Sequence, residues 1–140
     1  MSRVIKLEDI GKERTQLTRA IVLALRELMT QTEPDEQSRD LSAFIAMALE
    51  AIDETIDQTI VPWEKRGYWL KADRFRLEWE WTGRLSKELR KALFDEDWAA
   101  IAGIAAQIVE KLKSTKVPQR HRLGTPWVGA WERLQEQEPG

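Results

Sequence analysis

Hydrophobic residues recur every three or four positions along most of the chain, and no segment alternates between apolar and polar residues for long. This spacing places the apolar side chains on one face of an α-helix, so the pattern predicts helices and no strands. Four long segments carry it, at about residues 9–31, 35–60, 68–94 and 97–113. Short connections between long helices favour an up-and-down four-helix bundle, so we expect an all-α fold of that kind.

The residues between these segments indicate where the helices begin and end. Thr32 and Asp35 have the spacing of a capping box, which favours a helix start. Pro62 disfavours helical geometry at the residue before it, so we expect the second helix to end there. Asp95 or Asp97 is expected to cap the fourth helix, because a carboxylate at that position accepts a free backbone N–H.

The tail contains a further helix signal. Thr125 and Pro126 predict the start of a short helix, since proline is well tolerated at the first helical position. This helix would place Trp127 and Trp131 on one face. The chain then divides into three parts. Residues 1–8 form a flexible N-terminus, and residues 9–113 form the four-helix bundle. Residues 114–140 form a C-terminal extension, in which a basic linker precedes the short helix.

The third segment is the most unusual of the four. With 100° of rotation per residue, its large side chains cover an arc of about 200°. Arg74 and Glu78 lie inside this arc, one turn apart, beside Trp81. A buried charge must be paired or its ionisation shifts, and such groups cluster at functional sites. We therefore expect Arg74 and Glu78 to form a buried structural ion pair; the alternative is an internal polar site, which would be formed by Arg74, Glu78 and Trp81.

Tryptophan is the compositional anomaly, with seven in 140 residues. Its large apolar surface and single N–H concentrate it in cores and at interfaces. Alanine and glycine pairs in the fourth segment leave a face that another helix can approach closely. We therefore expect a non-enzymatic helical protein that acts through protein–protein contact, as a homodimer or with another protein. Trp127 and Trp131 are interaction candidates that could exchange onto a second copy; a monomer with all seven tryptophans in its core is the alternative.

Charge is unevenly distributed, although the formal net charge is only −2. Residues 111–122 contain five basic residues and no acidic one, whereas residues 31–60 contain eight acidic residues and one basic residue. A basic irregular stretch suits phosphate contacts, so a nucleic-acid-binding protein is the second hypothesis, with Lys87 or Lys91 on the same surface. The candidate contacts in the stretch are Lys113, Lys116, Arg120 and Arg122.

Four carboxylates in the second helix share one face, at the spacing i, i+3, i+4 and i+7. They are Glu50, Asp53, Glu54 and Asp57. Carboxylate oxygens are ligands for Mg²⁺. The cluster resembles the acidic helix motifs of the all-α nucleotide pyrophosphohydrolases, which implies a metal-dependent hydrolase as a third hypothesis. That family places its acidic pairs on two facing helices, whereas both pairs here lie on one helix. The helical phase also directs them to solvent, so we expect a solvated face and no metal.

Other chemistries lack the residues that they need. The chain has no cysteine, which excludes disulfides, thiolate nucleophiles and cysteine-based zinc sites. Its single histidine, His121, lies between two arginines that would repel a cation. Serine nucleophile elbows, phosphate-binding glycine loops and dinucleotide fingerprints are absent. No apolar run approaches the ~20 residues of a membrane span, and the first residues show no apolar signal segment. We therefore expect a cytoplasmic protein with no cofactor and no membrane partner.

Overall fold

The computed structural model describes residues 7–117 and 121–137, and every regular element within them is a helix. The all-α prediction is therefore confirmed. The six helices are α1 (Leu7–Met29), α2 (Glu36–Lys65), α3 (Trp69–Trp79), α4 (Trp81–Phe94), α5 (Trp98–Lys111) and α6 (Ala130–Gln137). The N-terminal segment 1–8 lies outside the described residues, except that residues 7 and 8 begin α1.

Helix α2 is central to the fold. It contacts α1, α3, α4 and α6, whereas α5 packs mainly on α4 and touches α1 only lightly. Thirteen of its 30 residues are buried, many of them alanine, serine or threonine, and such small side chains allow several helices to approach. The largest fully buried aliphatic side chains around it are Ile21, Leu41, Ile45, Leu49, Ile52, Ile60, Leu85, Leu89, Leu93, Ile108 and Leu134.

Both ends of α2 differ from the sequence prediction. Its N-cap is Asp35, whose carboxylate accepts the backbone N–H of Ser38 at 2.8 Å, so Thr32 does not cap it. Pro62 lies inside the helix, which continues to Lys65. A proline inside a helix removes one backbone hydrogen bond. In the turn that follows, Trp63 packs against Phe75 of α3, and their ring centroids are 5.5 Å apart.

The predicted third helix is in fact two helices, α3 and α4, separated by Glu80. Thr82, which is fully buried, donates its hydroxyl hydrogen to the carbonyl oxygen of Trp79 at 2.7 Å. This bond spans the junction between the two helices. Glu80 keeps helical dihedral angles, with φ −59° and ψ −25°, and its N–H donates to the carbonyl oxygen of Arg76 at 2.8 Å. Helix α3 packs mainly on α2, whereas α4 packs on both α2 and α5, so the two helices bury different faces.

The tail helix also begins later than predicted. Residues 126–129 form a turn, Gly129 has a positive φ of 76°, and α6 starts at Ala130. Trp127 therefore precedes the helix. Ala130 and Leu134 are fully buried in the main core, and α6 packs on α2 of its own chain.

Candidate functional site

The predicted internal site of Arg74, Glu78 and Trp81 does not exist as a buried unit. Trp81 is buried, but Arg74 and Glu78 are both exposed. The reason is the packing of α3 on α2, which turns Ala72, Phe75 and Trp79 inward and leaves Arg74 and Glu78 facing solvent. The expectation of a buried charge pair was therefore wrong.

The same packing leaves apolar side chains exposed on α3 and just before it. Tyr68 is 52% exposed, Trp69 59%, Leu70 64% and Leu77 69%. We call Tyr68, Trp69, Leu70, Arg74, Leu77 and Glu78 the α3 surface. An open groove of about 660 Å³ adjoins it, with Trp63 and Phe75 in its lining. Isolated exposed apolar residues are ordinary, but four within one short helix and its N-cap, two of them aromatic, are typical of an interaction site.

Arg14 on α1 is a partly buried charged residue whose side chain lies between helices. Its Nε donates a hydrogen bond to Thr55 Oγ1 at 3.2 Å, and a terminal nitrogen donates to Thr59 Oγ1 at 2.7 Å. The two hydroxyls in turn donate to backbone carbonyls of α2. The guanidinium also lies over the rings of Phe75 and Trp79, at 4.8 and 5.7 Å from their centroids. Arg14 thus joins α1, α2 and α3.

Partial burial has an electrostatic consequence at Arg14. Removal of the guanidinium from water lowers its pKa, and the attraction of the Glu78 carboxylate offsets part of that lowering. An arginine remains charged despite such a shift. A permanent positive charge is therefore held at the junction of three helices by two neutral hydroxyls and two aromatic rings.

The acidic residues of α2 do not converge on a metal site. Glu50 pairs with Arg90 on α4, and Asp53 is half-buried against α4, whereas Glu54 and Asp57 are exposed. Across residues 7–117 and 121–137, no group of three acidic or histidine side chains is placed to hold a metal ion. The expected solvated face therefore applies to Glu54 and Asp57 only, because the other two lie at the seam between α2 and α4.

The two tail tryptophans pack within their own chain. Trp127 is buried, and the half-buried ring of Trp131 lies 5.1 Å from the ring of Phe94. The backbone N–H groups of Gly129 and Trp131 both donate to Asp40 on α2, at 3.1 and 3.0 Å. Neither tryptophan is available in this arrangement as a free anchor for a second copy.

The basic residues predicted to contact nucleic acid differ from one another in their surroundings. Lys113 pairs with Glu110 at 2.8 Å, while Lys116 and Arg122 are exposed, and Arg120 lies outside the described residues. Lys113 lines a small groove with Arg26, and Lys116 lines a second one with Arg19, so both lysines face α1.

An apolar groove of about 440 Å³ follows the weak contact between α1 and α5. Met29, Trp98 and Val109 line it, together with alanines of α5. The small-residue face predicted for the fourth segment is exposed at Ala102 and Ala106. In the described part of the chain no helix packs closely on that face.

Comparison with known proteins adds no relative to this description. No protein-family model, curated protein or solved structure matches the chain. None of the helices within the two described ranges has the length and apolar character required to cross a membrane.

Proposed function

We propose that the protein acts through protein–protein contact without catalysis, and that its partner is a second copy bound through the α3 surface. The observation that carries this proposal is the exposure of Tyr68, Trp69, Leu70 and Leu77 by more than half each. Covering them with a second chain removes apolar area from water, which is the main driving force of association. Aromatic residues in such a patch are the usual energetic centres of an interface.

The charges of the α3 surface support a second copy in particular. Arg74 and Glu78 make no ion pair or hydrogen bond with any described residue, and they lie one turn apart on the face that carries Leu77. The two residues are equally far in sequence from Arg76. An antiparallel pair of α3 helices with a two-fold axis at that level brings each Arg74 opposite Glu78 of the second copy, and brings the Leu77 side chains together near the axis. A two-fold interface requires this kind of self-complementarity.

The helices provide the scaffold for this contact. As part of the proposal, the four-helix bundle consists of α1, α2, α4 and α5, and α6 is the short C-terminal helix. This assignment is supported by the packing of α1 and α4 on α2 and of α5 on α4. The cytoplasmic location remains a prediction from the sequence. The nucleic-acid and hydrolase hypotheses gain no support from the positions of their candidate residues.

Charge reversal tests the proposed dimer directly. The mass of the purified chain is measured by analytical ultracentrifugation over a wide range of protein concentration, and we expect a reversible dimer. Arg74→Glu and Glu78→Arg each place like charges opposite one another and should weaken the dimer, whereas the double variant should restore it. Both sites are exposed, so the fold is expected to tolerate the changes.

Met29→Ser is the matched control, because Met29 is 70% exposed but lies outside the α3 surface. We expect this variant to dimerise as the unmodified chain does. A chain that stays monomeric at every concentration would overturn the proposal. So would a dimer that neither charge reversal weakens, since that dimer would use another surface.

A further inference from the structure

A small cleft between α1 and the segment after α5 has an unusual set of charges. Its volume is about 310 Å³, and its lining contains Arg14, Arg19 and Lys116 but no carboxylate. Three threonines and the side of Trp79 complete most of the wall. The chain as a whole has more acidic than basic residues. A cleft lined by three basic residues and no acidic one therefore differs in charge from the rest of the chain.

None of these three cations is neutralised by a salt bridge with any residue that the structure describes. Other basic side chains of the chain do have carboxylate partners, among them Arg39, Arg90 and Lys91. The carboxylate of Glu78 attracts the Arg14 guanidinium, but the effect of burial on the pKa of Arg14 is the larger one. Glu78 does not line the cleft. The positive charge of the cleft is therefore open to a ligand.

Arg14 gives the cleft a fixed hydrogen-bond donor. A guanidinium has five N–H donors. Two of them bind the hydroxyls of Thr55 and Thr59, and those bonds, with the rings of Phe75 and Trp79, hold the group in place. The other three find no acceptor among the described residues. Arg19 and Lys116 are exposed and can move toward a bound group.

We propose that this cleft binds a small phosphorylated molecule, with its phosphate between Arg14, Arg19 and Lys116. Arginine and lysine are the common protein ligands of phosphate, and their charge-assisted hydrogen bonds are roughly twice as strong as neutral ones. A cleft of about 310 Å³ is at the small end of metabolite sites, which leaves room for an organic group beside the phosphate. The indole of Trp79 provides an apolar surface for that group. This proposal does not depend on the α3 contact.

Titration with two probes at constant ionic strength tests the site. Inorganic phosphate and phenyl phosphate are added to the full chain, and binding is followed by calorimetry and by the indole N–H signal of Trp79 in NMR spectra, assigned with Trp79→Phe. We expect saturable binding of both probes at one site, with phenyl phosphate the tighter because its ring can contact Trp79. Equal affinity for the two probes would overturn the organic part of the proposal.

Three charge-neutralising variants locate the site. Arg19→Gln and Lys116→Gln remove exposed cations from the cleft, and we expect each to weaken phosphate binding about tenfold. Arg26→Gln is the matched control, since Arg26 is an exposed cation on the same helix that does not line the cleft, and its affinity should stay within about twofold. No saturable binding at millimolar phosphate, or an equal loss in Arg26→Gln, would overturn the proposal.

Discussion

The carboxylate of Asp40 on α2 accepts the backbone N–H of Trp131 in the first turn of α6, at 3.0 Å. Its second oxygen accepts the N–H of Gly129 at 3.1 Å. The first N–H groups of a helix have no acceptor within that helix. Asp40 therefore accepts the free N–H groups at the start of α6, as an N-cap residue does, although it lies in a distant part of the chain. These hydrogen bonds fix the tail on α2.

Asp40→Asn should loosen the tail. An amide keeps one acceptor oxygen but places an NH₂ group against the other N–H, so one hydrogen bond to a charged acceptor is lost. We expect a loss of about 1–2 kcal/mol in the free energy of unfolding. The measurement is urea denaturation followed by circular dichroism. Asp57→Asn is the control, because Asp57 is exposed, and an equal effect of the two changes would show that Asp40 does not hold the tail.

Gly83 on α4 lies close to the side chain of Asp53 on α2. A Cβ atom there would lie 2.7 Å from the carboxyl group of Asp53. A methyl group at Gly103 on α5, in contrast, would meet nothing within 4 Å. Alanine normally favours a helix over glycine by about 1 kcal/mol. We expect Gly103→Ala to stabilise the protein by about that amount, and Gly83→Ala to be less favourable than Gly103→Ala by about 1–2 kcal/mol, because of overpacking.

A double-mutant cycle separates this clash from other effects. In an Asp53→Ala background the obstructing carboxyl group is gone, so Gly83→Ala should become as favourable as Gly103→Ala. Residues in contact show such coupling, whereas distant ones are additive. Denaturation of the four proteins of the cycle gives the coupling energy. Additive effects would mean that Asp53 turns away without cost.

The sequence predicts the helices well because their periodicity is local and strong. The arrangement of side chains on α3 was not predictable in the same way. The 200° apolar arc of the third segment treats all its large side chains as buried. Helix α3 buries only the edge of the arc that carries Phe75 and Trp79, and leaves Leu70 and Leu77 exposed. Which edge of a wide apolar arc is buried depends on the position of the neighbouring helix, here α2, and no local pattern indicates that position.

Arg14 has a sequence signal of its own, although the Arg14 site was not among the predicted ones. Arg14 occupies the apolar stripe of α1, four residues after Ile10 and three before Leu17. A charge in such a position predicts a buried partner, but only the fold reveals that Thr55 and Thr59 lie opposite it. The contact of Asp40 with the tail spans about 90 residues, and no local pattern indicates it.

Asp35 makes the stability of α2 dependent on pH. Hydrogen bonds from the backbone N–H and then from the hydroxyl of Ser38 hold the pKa of the Asp35 carboxyl below its ordinary value of 3.8. A folded-state pKa below the unfolded one means that the stabilisation is fully present above the unfolded pKa. It is lost as the pH falls through the folded pKa.

Asp35→Asn keeps a capping oxygen and removes the charge, so it tests this dependence. The unmodified chain should be the more stable at neutral pH, and the difference should shrink as the solution is acidified below pH 3.8. Thermal denaturation across this range measures it. Glu54→Gln, which removes an exposed carboxylate in the middle of α2, should not reproduce the pH profile of Asp35→Asn. A difference that does not change with pH would contradict the capping role of the charge.

Replacement of Arg14 by lysine should destabilise the protein although the charge is kept. A lysine ammonium has no planar fork, so it cannot bind Thr55 and Thr59 together while it lies over the ring of Phe75. We expect a loss of about 1–2 kcal/mol in the free energy of unfolding, measured by urea denaturation. Arg19→Lys, on the exposed side of the same helix, should change it by less than about 0.5 kcal/mol. If the Arg14→Lys variant were as stable as the unmodified chain, the charge alone, and not the geometry of the guanidinium, would join the three helices.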